Sequence, residues 1–180
     1  GGYGLTRLLP HINYKALDKA VSRGTRFVGL SDFTALQNAL LAKTGAVTWA
    51  GPALGEDFGT EGQPDDIMEA CFDDLITGQG EGTGWRLPKI ATKSIADGAW
   101  QPGAEGKFGV KNAVLWGGNL AVLCSLVGTP YLPQVKGGIL FLEEVHEHPY
   151  RLERMLTQLL HAGVLAQQKA VVLGQFTNYK

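Results

Sequence analysis

The sequence predicts an α/β protein with a mainly parallel sheet, because short apolar runs alternate with amphipathic helical segments along most of its 180 residues. The runs at 26–30, 113–116 and 138–142 are apolar on both faces, as strands covered on both sides are. The segment at 149–161 repeats apolar residues at helical spacing. Glycine is abundant, with 25 residues, which indicates many tight turns.

The individual elements follow from periodicity and from turn residues. Helices are predicted at 5–9, 14–21, 32–41, 64–76, 120–126 and 149–161. Strands are predicted at 26–30, 46–49, 113–116, 138–142 and 170–174, the third of them ending at Gly117 and Gly118. Periodicity fades at 77–111, where short antiparallel strands are one interpretation.

This order predicts an N-terminal domain at 1–80, a crossover region at 81–110 and a smaller α/β C-terminal domain at 111–180. We expect both domains to be incomplete. The Gly-rich turn at Gly1 lacks the strand that such a turn normally follows, and the predicted strand at 170–174 is followed by only a few residues.

Composition narrows the function classes. Hydrophobic residues make up 44% and charged residues 18%, which is typical of a globular protein. The net charge is -1 and no run of like charges occurs, so a basic face for nucleic acid has no support. No membrane-spanning stretch or signal peptide is apparent, so we expect a cytoplasmic protein. Cys71 and Cys124 both lie in apolar settings, which predicts two reduced core thiols.

The first candidate site is Ser31, which stands between a predicted strand and a predicted helix. A serine on such a bend has the geometry of a nucleophile elbow, in which the backbone N–H of the next residue, Asp32, can face an oxyanion. Phe33 occupies the position where the elbow motif has its last glycine. The alternative is that Ser31 is a helix N-cap.

A Gly-rich turn precedes the first helix, at Gly1, Gly2 and Gly4. Turns of this kind can offer backbone N–H groups to an anion or an oxyanion. The alternative is a tight turn with no ligand.

The segment at 142–148 carries three glutamates and two histidines at the end of a predicted strand. A metal site is one interpretation, because alternation along an extended chain would place Glu144, His146 and His148 on one side. A carboxylate at the mouth of a sheet can instead orient a histidine in a hydrolase. Trp116, which precedes two glycines in the sequence, is either one wall of a binding cleft or a core residue.

Taken together, these segments resemble the LD-carboxypeptidase family, which includes murein tetrapeptide carboxypeptidases and microcin-immunity peptidases. Several separate blocks carry the resemblance across nearly the whole chain. They lie at 1–10, 28–36, 51–52, 115–120, 127–131, 137–144 and 149–154.

The resemblance implies a Ser-Glu-His relay in which Ser31 is the nucleophile and Glu143 is the relay glutamate, with Glu144 as the less favoured candidate. It also implies backbone oxyanion donors, and the site predicted on this basis includes residues that would contact the substrate. The oxyanion donors are Asp32 with Gly1 or Gly2, and the substrate-binding residues are Trp116 and Tyr3, with 77–111 also lining the cleft.

In this family the relay histidine lies further towards the C-terminus than this sequence reaches. None of the four histidines is therefore assigned to the relay, and we expect the isolated chain to have little or no activity. These histidines are His11, His146, His148 and His161.

The resemblance also implies an activity: a serine peptidase hydrolyses an L,D-peptide bond and releases D-alanine from murein tetrapeptide during cytoplasmic peptidoglycan recycling. No metal or cofactor is implied, the partner is the murein peptide, and a homodimer is consistent with the family. Two alternatives stay open. They are a microcin-immunity peptidase that cleaves an aminoacyl-nucleotide toxin, and a non-catalytic ligand-binding α/β module.

Overall fold

The computed structural model describes residues 2–80 and 109–179 and confirms the α/β class. Within these ranges the strands form two parallel sheets. The first pairs β1 (Val28–Gly29) with β2 (Trp49–Ala50), and the second has the order β3 (Leu115–Asn119), β4 (Ile139–Val145), β5 (Ala170–Thr177). The predicted crossover falls largely on residues 81–108, outside the described ranges.

Helices connect the strands, and polar caps or glycines fix several of their ends. They are α1 (Tyr14–Ser22), α2 (Thr34–Thr44), α3 (Asp66–Thr77), α4 (Leu120–Ser125) and α5 (Pro149–His161). The Oδ1 atoms of Asn13, Asp65 and Asn119 accept backbone N–H groups in the first turns of α1, α3 and α4. Short 3₁₀ turns lie at Leu5–Arg7, Leu9–His11, Ser31–Phe33 and Leu165–Gln167, and one π-helical turn lies at Leu54–Phe58.

Several predicted boundaries differ from the structure. The single helix predicted at 5–9 is two 3₁₀ turns, Leu5–Arg7 and Leu9–His11. The strand predicted at 46–49 lies at Trp49–Ala50. The strand predicted to end at Gly117 continues to Asn119, because its two glycines pair in register with Phe141 and Leu142 of β4. Pairing with a neighbouring strand therefore outweighs the local tendency of Gly-Gly to end a strand.

Helix α2 contacts both sheets, and Gln37 Nε2 on it donates to the carbonyls of Gly29 in β1 and Trp49 in β2. Ala35 and Ala39 of α2 are fully buried and belong to the same apolar cluster as Leu140 and Leu142 of β4. Helix α2 is buried on most of its surface, including two polar residues, Thr34 and Asn38. The helix that begins three residues after Ser31 is thus fixed between both parts of the chain.

The structure also tests the predictions for the two cysteines and for membrane-spanning segments. Cys124 is buried as expected, but Cys71 is exposed on α3, so the prediction of two core thiols is wrong for Cys71. The half-buried face of α3 is formed by Met68, Phe72 and Ile76, and Cys71 lies outside it. None of the helices described at 2–80 and 109–179 has the length and hydrophobicity that a bilayer crossing requires.

Candidate active site

Ser31 lies on a strained bend between β1 and α2. Leu30 is extended, with φ −142° and ψ −179°, and Ser31 then adopts φ 59° before the chain turns into the 3₁₀ segment. A positive φ is uncommon for a residue other than glycine and costs about 1–3 kcal/mol. The predicted strand–serine–helix bend is therefore present, with the backbone conformation that turns a nucleophile out of a sheet.

The alternative role of Ser31 as an N-cap is wrong. The N-cap of the 3₁₀ turn is Leu30 and that of α2 is Phe33. Phe33 instead packs over Gly29, where a Cβ atom would stand 2.6 Å from the Phe33 ring. A side chain at position 29 would therefore collide with Phe33, and Gly29 leaves the space that this ring occupies.

Asp32 joins the Gly-rich turn to the serine bend. Its buried carboxylate accepts a hydrogen bond from the backbone N–H of Leu5, at 2.9 Å from Oδ2. Gly2 and Gly4 in the turn have φ 98° and 96°. Gly1 lies outside the described residues. The two segments that sequence analysis predicted as oxyanion donors are thus brought together, 27 residues apart in the chain.

An open groove lies at this junction. It is lined on one side by the Gly-rich turn and its 3₁₀ segment, and on the other by the residues after Ser31. Tyr3 is 91% exposed at its edge. The lining residues are Tyr3, Gly4, Leu5, Arg7, Leu8, Asp32 and Phe33.

The two glutamates at the end of β4 have different environments. Glu144 is 5% exposed, and its carboxylate accepts hydrogen bonds from Asn119 Nδ2 at 2.8 Å, from the N–H of Ala121 at 2.8 Å and from its own neighbour Val145 at 3.0 Å. All of these donors belong to the protein, so Glu144 holds the β3–α4 junction. A β-bulge in the β4–β5 pairing lies between Leu142 and Glu144.

Glu143 is half-buried and lies opposite Asn119 in the β3–β4 register. Burial raises the pKa of Glu143, the nearby Glu144 carboxylate raises it further, and a hydrogen bond from the Asn119 side chain acts in the opposite direction. The Glu144 carboxylate accepts three hydrogen bonds, whereas, among the described residues, Asn119 is the one side-chain donor that lowers the pKa of Glu143. The Glu143 carboxylate can therefore accept a hydrogen bond from a further donor.

A polar link connects the serine helix to the strand beside Glu143. Thr34 Oγ1 accepts the backbone N–H of Asn119 at 3.1 Å. Asn38 Nδ2 donates to the carbonyl of Gly117 at 2.8 Å. Ser31 thus lies three residues from the contact between α2 and Asn119, and Asn119 pairs with Glu143 in the sheet.

Sequence analysis missed Thr34, Asn38 and Asn119 as parts of the site. The available signal was a pair of polar residues four apart on an otherwise apolar helix, which places Thr34 and Asn38 on one face. Such a pair inside a buried helix requires polar partners elsewhere in the chain.

Trp116 lies in the core. It is 6% exposed, and its Nε1 donates to Gln168 Oε1 at 3.0 Å. It lines a partly open pocket between α2 and β3 of about 180 Å³, and it is not part of the groove beside Asp32. This position agrees with the alternative of a core tryptophan, and a role for Trp116 in substrate binding stays a prediction.

The metal interpretation of the 142–148 segment is wrong in its geometry. Strand β4 ends at Val145, and His146 has φ 66°, so the alternation that would align Glu144 with both histidines is broken. Glu144 is already bound by protein donors. Across residues 2–80 and 109–179, no cluster of three or more histidine, cysteine, aspartate or glutamate side chains has the arrangement of a metal site.

Comparison with protein families identifies the class to which this fold and site belong. Residues 1–51 match the LD-carboxypeptidase N-terminal domain, and residues 112–180 match the LD-carboxypeptidase C-terminal domain. The chain therefore belongs to the LD-carboxypeptidase family, and the resemblance seen in the sequence is confirmed.

Among particular relatives, a probable murein peptide carboxypeptidase of Bacillus subtilis (strain 168) is 32% identical over 99% of this chain and 50% of its own length. The microcin C7 self-immunity protein of Escherichia coli is 29% identical over 97% of this chain and 54% of its own length. The chain thus spans about half the length of the curated relatives it matches.

Solved structures agree in fold. A muramoyltetrapeptide carboxypeptidase from Oxalobacter formigenes is 42% identical with a TM-score of 0.79, over 100% of this chain and 55% of that one. The protein MccF in complex with glutamyl sulfamoyl guanosine is 26% identical with a TM-score of 0.71, over 98% of this chain and 56% of that one.

Proposed function

We propose that this chain forms part of a serine-type LD-carboxypeptidase that releases D-alanine from murein tetrapeptide. The observation that carries the proposal is the strained Ser31, which lies between β1 and α2 and is tied to the Gly-rich turn by the Asp32–Leu5 hydrogen bond. Membership of the LD-carboxypeptidase family and the murein peptide carboxypeptidase relative support this substrate class.

In the proposed reaction, Ser31 Oγ attacks the carbonyl carbon of the L,D-peptide bond while the relay histidine removes the hydroxyl proton. The tetrahedral oxyanion is stabilised by the backbone N–H of Asp32 and by one from the Gly1–Gly2 turn. The C–N bond then breaks, D-alanine leaves with the proton from the histidine, and water hydrolyses the acyl-enzyme. No histidine of this chain is assigned as the base.

Glu143 is the proposed relay carboxylate that orients the histidine and stabilises its cation. Its half-buried position and its spare hydrogen-bonding capacity support this choice over Glu144, whose two oxygens are bound to Asn119 and to backbone N–H groups. Tyr3 at the edge of the groove is the proposed contact for substrate. The proposal uses no metal or cofactor.

The proposed reaction belongs to peptidoglycan recycling in the cytoplasm, and its substrate is murein peptide. We also retain the division into domains at 1–80 and 111–180 with a crossover at 81–110, and a homodimer as the assembly to be tested.

A second candidate is a microcin-immunity peptidase, and the similarity to the Escherichia coli self-immunity protein favours it. The two candidates share Ser31 and differ in the amine that leaves: a D-amino acid in one, and in the other the nucleotide-bearing side of the amide in an aminoacyl-nucleotide. A non-catalytic binding module is the third, and it requires no role for the Ser31 hydroxyl.

The test measures D-alanine release from murein tetrapeptide by the full-length protein that carries this chain, beside Ser31→Ala and Ser22→Ala. Ser22 is an exposed serine at the end of α1 and serves as the matched control. We expect release by the parent and by Ser22→Ala, and a loss of at least about 1000-fold in Ser31→Ala. Faster cleavage of an aminoacyl-nucleotide substrate would favour the second candidate, and equal activity in Ser31→Ala would exclude a serine mechanism at this position.

A further inference from the structure

Arg7 is a cation in the groove beside Ser31 with no assigned role. It ends the 3₁₀ turn Leu5–Arg7, is exposed, and lines the groove together with Tyr3 and Asp32. Its guanidinium lies back across the Gly-rich turn: a Cβ atom on Gly4 would stand 2.6 Å from one of its terminal nitrogens. Gly4 therefore leaves the space that the Arg7 side chain occupies.

The charge of Arg7 is not neutralised within the described parts of the chain. Among residues 2–80 and 109–179, the one ion pair joins Arg151 on α5 to Glu147, which precedes that helix. The carboxylate that lines the groove, that of Asp32, accepts the N–H of Leu5 through Oδ2. A guanidinium held over a glycine turn and facing an open groove has the planar donors that suit a carboxylate ligand.

A carboxypeptidase must distinguish the terminal residue of a peptide from an internal one. The feature unique to the terminal residue is its free carboxylate, which stands one residue beyond the bond that is cleaved. The groove that holds Arg7 also contains Asp32 and Phe33, the two residues that follow Ser31. Ser31 directly precedes Asp32 in the chain, so the terminal carboxylate of a ligand bound at Ser31 is within reach of this groove.

We propose that Arg7 binds the terminal carboxylate of the D-amino acid that leaves, and so makes the enzyme specific for the end of a peptide. This inference rests on the proposed function and adds the residue that determines exopeptidase specificity. Arg7 acts on recognition of the substrate, so its removal lowers affinity for the free acid and leaves binding of a carboxamide unchanged.

The test separates recognition from turnover by measuring Kd in the full-length protein with Ser31→Ala as the background. The probes are murein tetrapeptide and its C-terminal amide, measured by calorimetry. Arg7→Gln removes the charge, Arg7→Lys keeps the charge without the planar fork, and Arg23→Gln removes another exposed arginine at the end of α1 as the control. Circular dichroism verifies that each variant is folded.

We expect Arg7→Gln to weaken binding of the acid about 10- to 100-fold and binding of the amide less than 2-fold, because a charge-assisted hydrogen-bonded pair is lost with one probe only. Arg7→Lys should fall between, and Arg23→Gln should resemble the background. Equal weakening of both probes, or of neither, would overturn the role of Arg7 while D-alanine release by the parent still supports the proposed function. Absence of both release and binding would overturn the two together.

Discussion

The backbone N–H of Asn119 donates a hydrogen bond to Thr34 Oγ1 at 3.1 Å, across 85 residues of sequence. Thr34 is the first residue of α2, three positions after Ser31, and Asn119 lies opposite Glu143 in the β3–β4 register. The bond therefore ties the proposed nucleophile to the strand next to its proposed relay carboxylate. Both partners are buried, so water cannot replace either of them.

Replacing Thr34 with valine keeps the shape of the side chain but leaves the Asn119 N–H without an acceptor. We expect a loss of about 1–3 kcal/mol in the free energy of unfolding, which is the cost of an unsatisfied buried donor. Urea unfolding of the full-length protein measures it. Thr34→Ser retains the oxygen and should lose less than Thr34→Val. An unfolding free energy of Thr34→Val equal to that of the parent would show that the hydrogen bond contributes nothing to stability.

Gly118 allows α2 to approach β3 at the same place. It has φ 124°, and a Cβ atom there would stand 2.6 Å from Thr34 Oγ1. We expect Gly118→Ala to lower the free energy of unfolding by roughly 2–5 kcal/mol, because backbone strain and overpacking add.

Gly128→Ala is the matched control for this substitution. Gly128 also has a positive φ, 80°, but a Cβ atom there meets nothing within 4 Å. The Gly128→Ala variant therefore measures the backbone strain alone, for which we expect a loss of about 1–2 kcal/mol in the free energy of unfolding. Equal unfolding free energies for the two variants would show that the contact with Thr34 contributes nothing.

These contacts show where prediction from sequence was effective and where it was not. The helix at 149–161 was predicted with its observed bounds, because its apolar stripe and its first proline are local signals. The bend at Ser31 was predicted for the same reason: a short apolar strand, a serine and a helix follow each other directly.

The relationships between distant segments were not predictable. No local pattern indicates that Asp32 accepts the N–H of Leu5, or that Asn119 binds Thr34, because these pairs form only when the helices pack. The end of β3 was misplaced since its glycines are held in the sheet by pairing with β4. The different environments of Glu143 and Glu144 likewise depend on the β3–α4 junction, whose donors bind one carboxylate and not the other.

Glu143 should make stability depend on pH. Burial and the Glu144 carboxylate raise its pKa above the ordinary value, so the folded protein holds this proton more tightly than the unfolded chain does. The free energy of unfolding therefore falls as pH rises from the unfolded pKa through the higher folded pKa. Glu143→Gln removes the ionisation, so its Tm should exceed that of the parent by more at pH 7 than at pH 4.

Thermal unfolding of parent and variant across this pH range measures the difference directly, and the carboxylates that do not interact with Glu143 cancel in the comparison. Under the proposed function, Glu143→Gln should at the same time lose peptidase activity, because the amide cannot stabilise a histidine cation. A Tm difference that is the same at both pH values would show that Glu143 ionises as freely in the folded protein as in the unfolded chain.

The two cysteines should differ in their reaction with thiol reagents. Cys71 is exposed on α3, whereas Cys124 is buried and its Sγ donates to the carbonyl of Met155 at 3.5 Å. Burial, with a smaller effect of the Glu144 carboxylate, raises the pKa of Cys124 to about 11, so almost no thiolate is present at pH 8.

In titrations of the native protein with a disulfide reagent, we expect the Cys71→Ser variant to lose the fast phase and Cys124→Ser to keep it. Addition of denaturant should expose Cys124 and restore a reactive thiol in Cys71→Ser. Fast labelling of Cys124 in the native Cys71→Ser protein would mean that α4 and α5 separate readily, contrary to the packed core described for them.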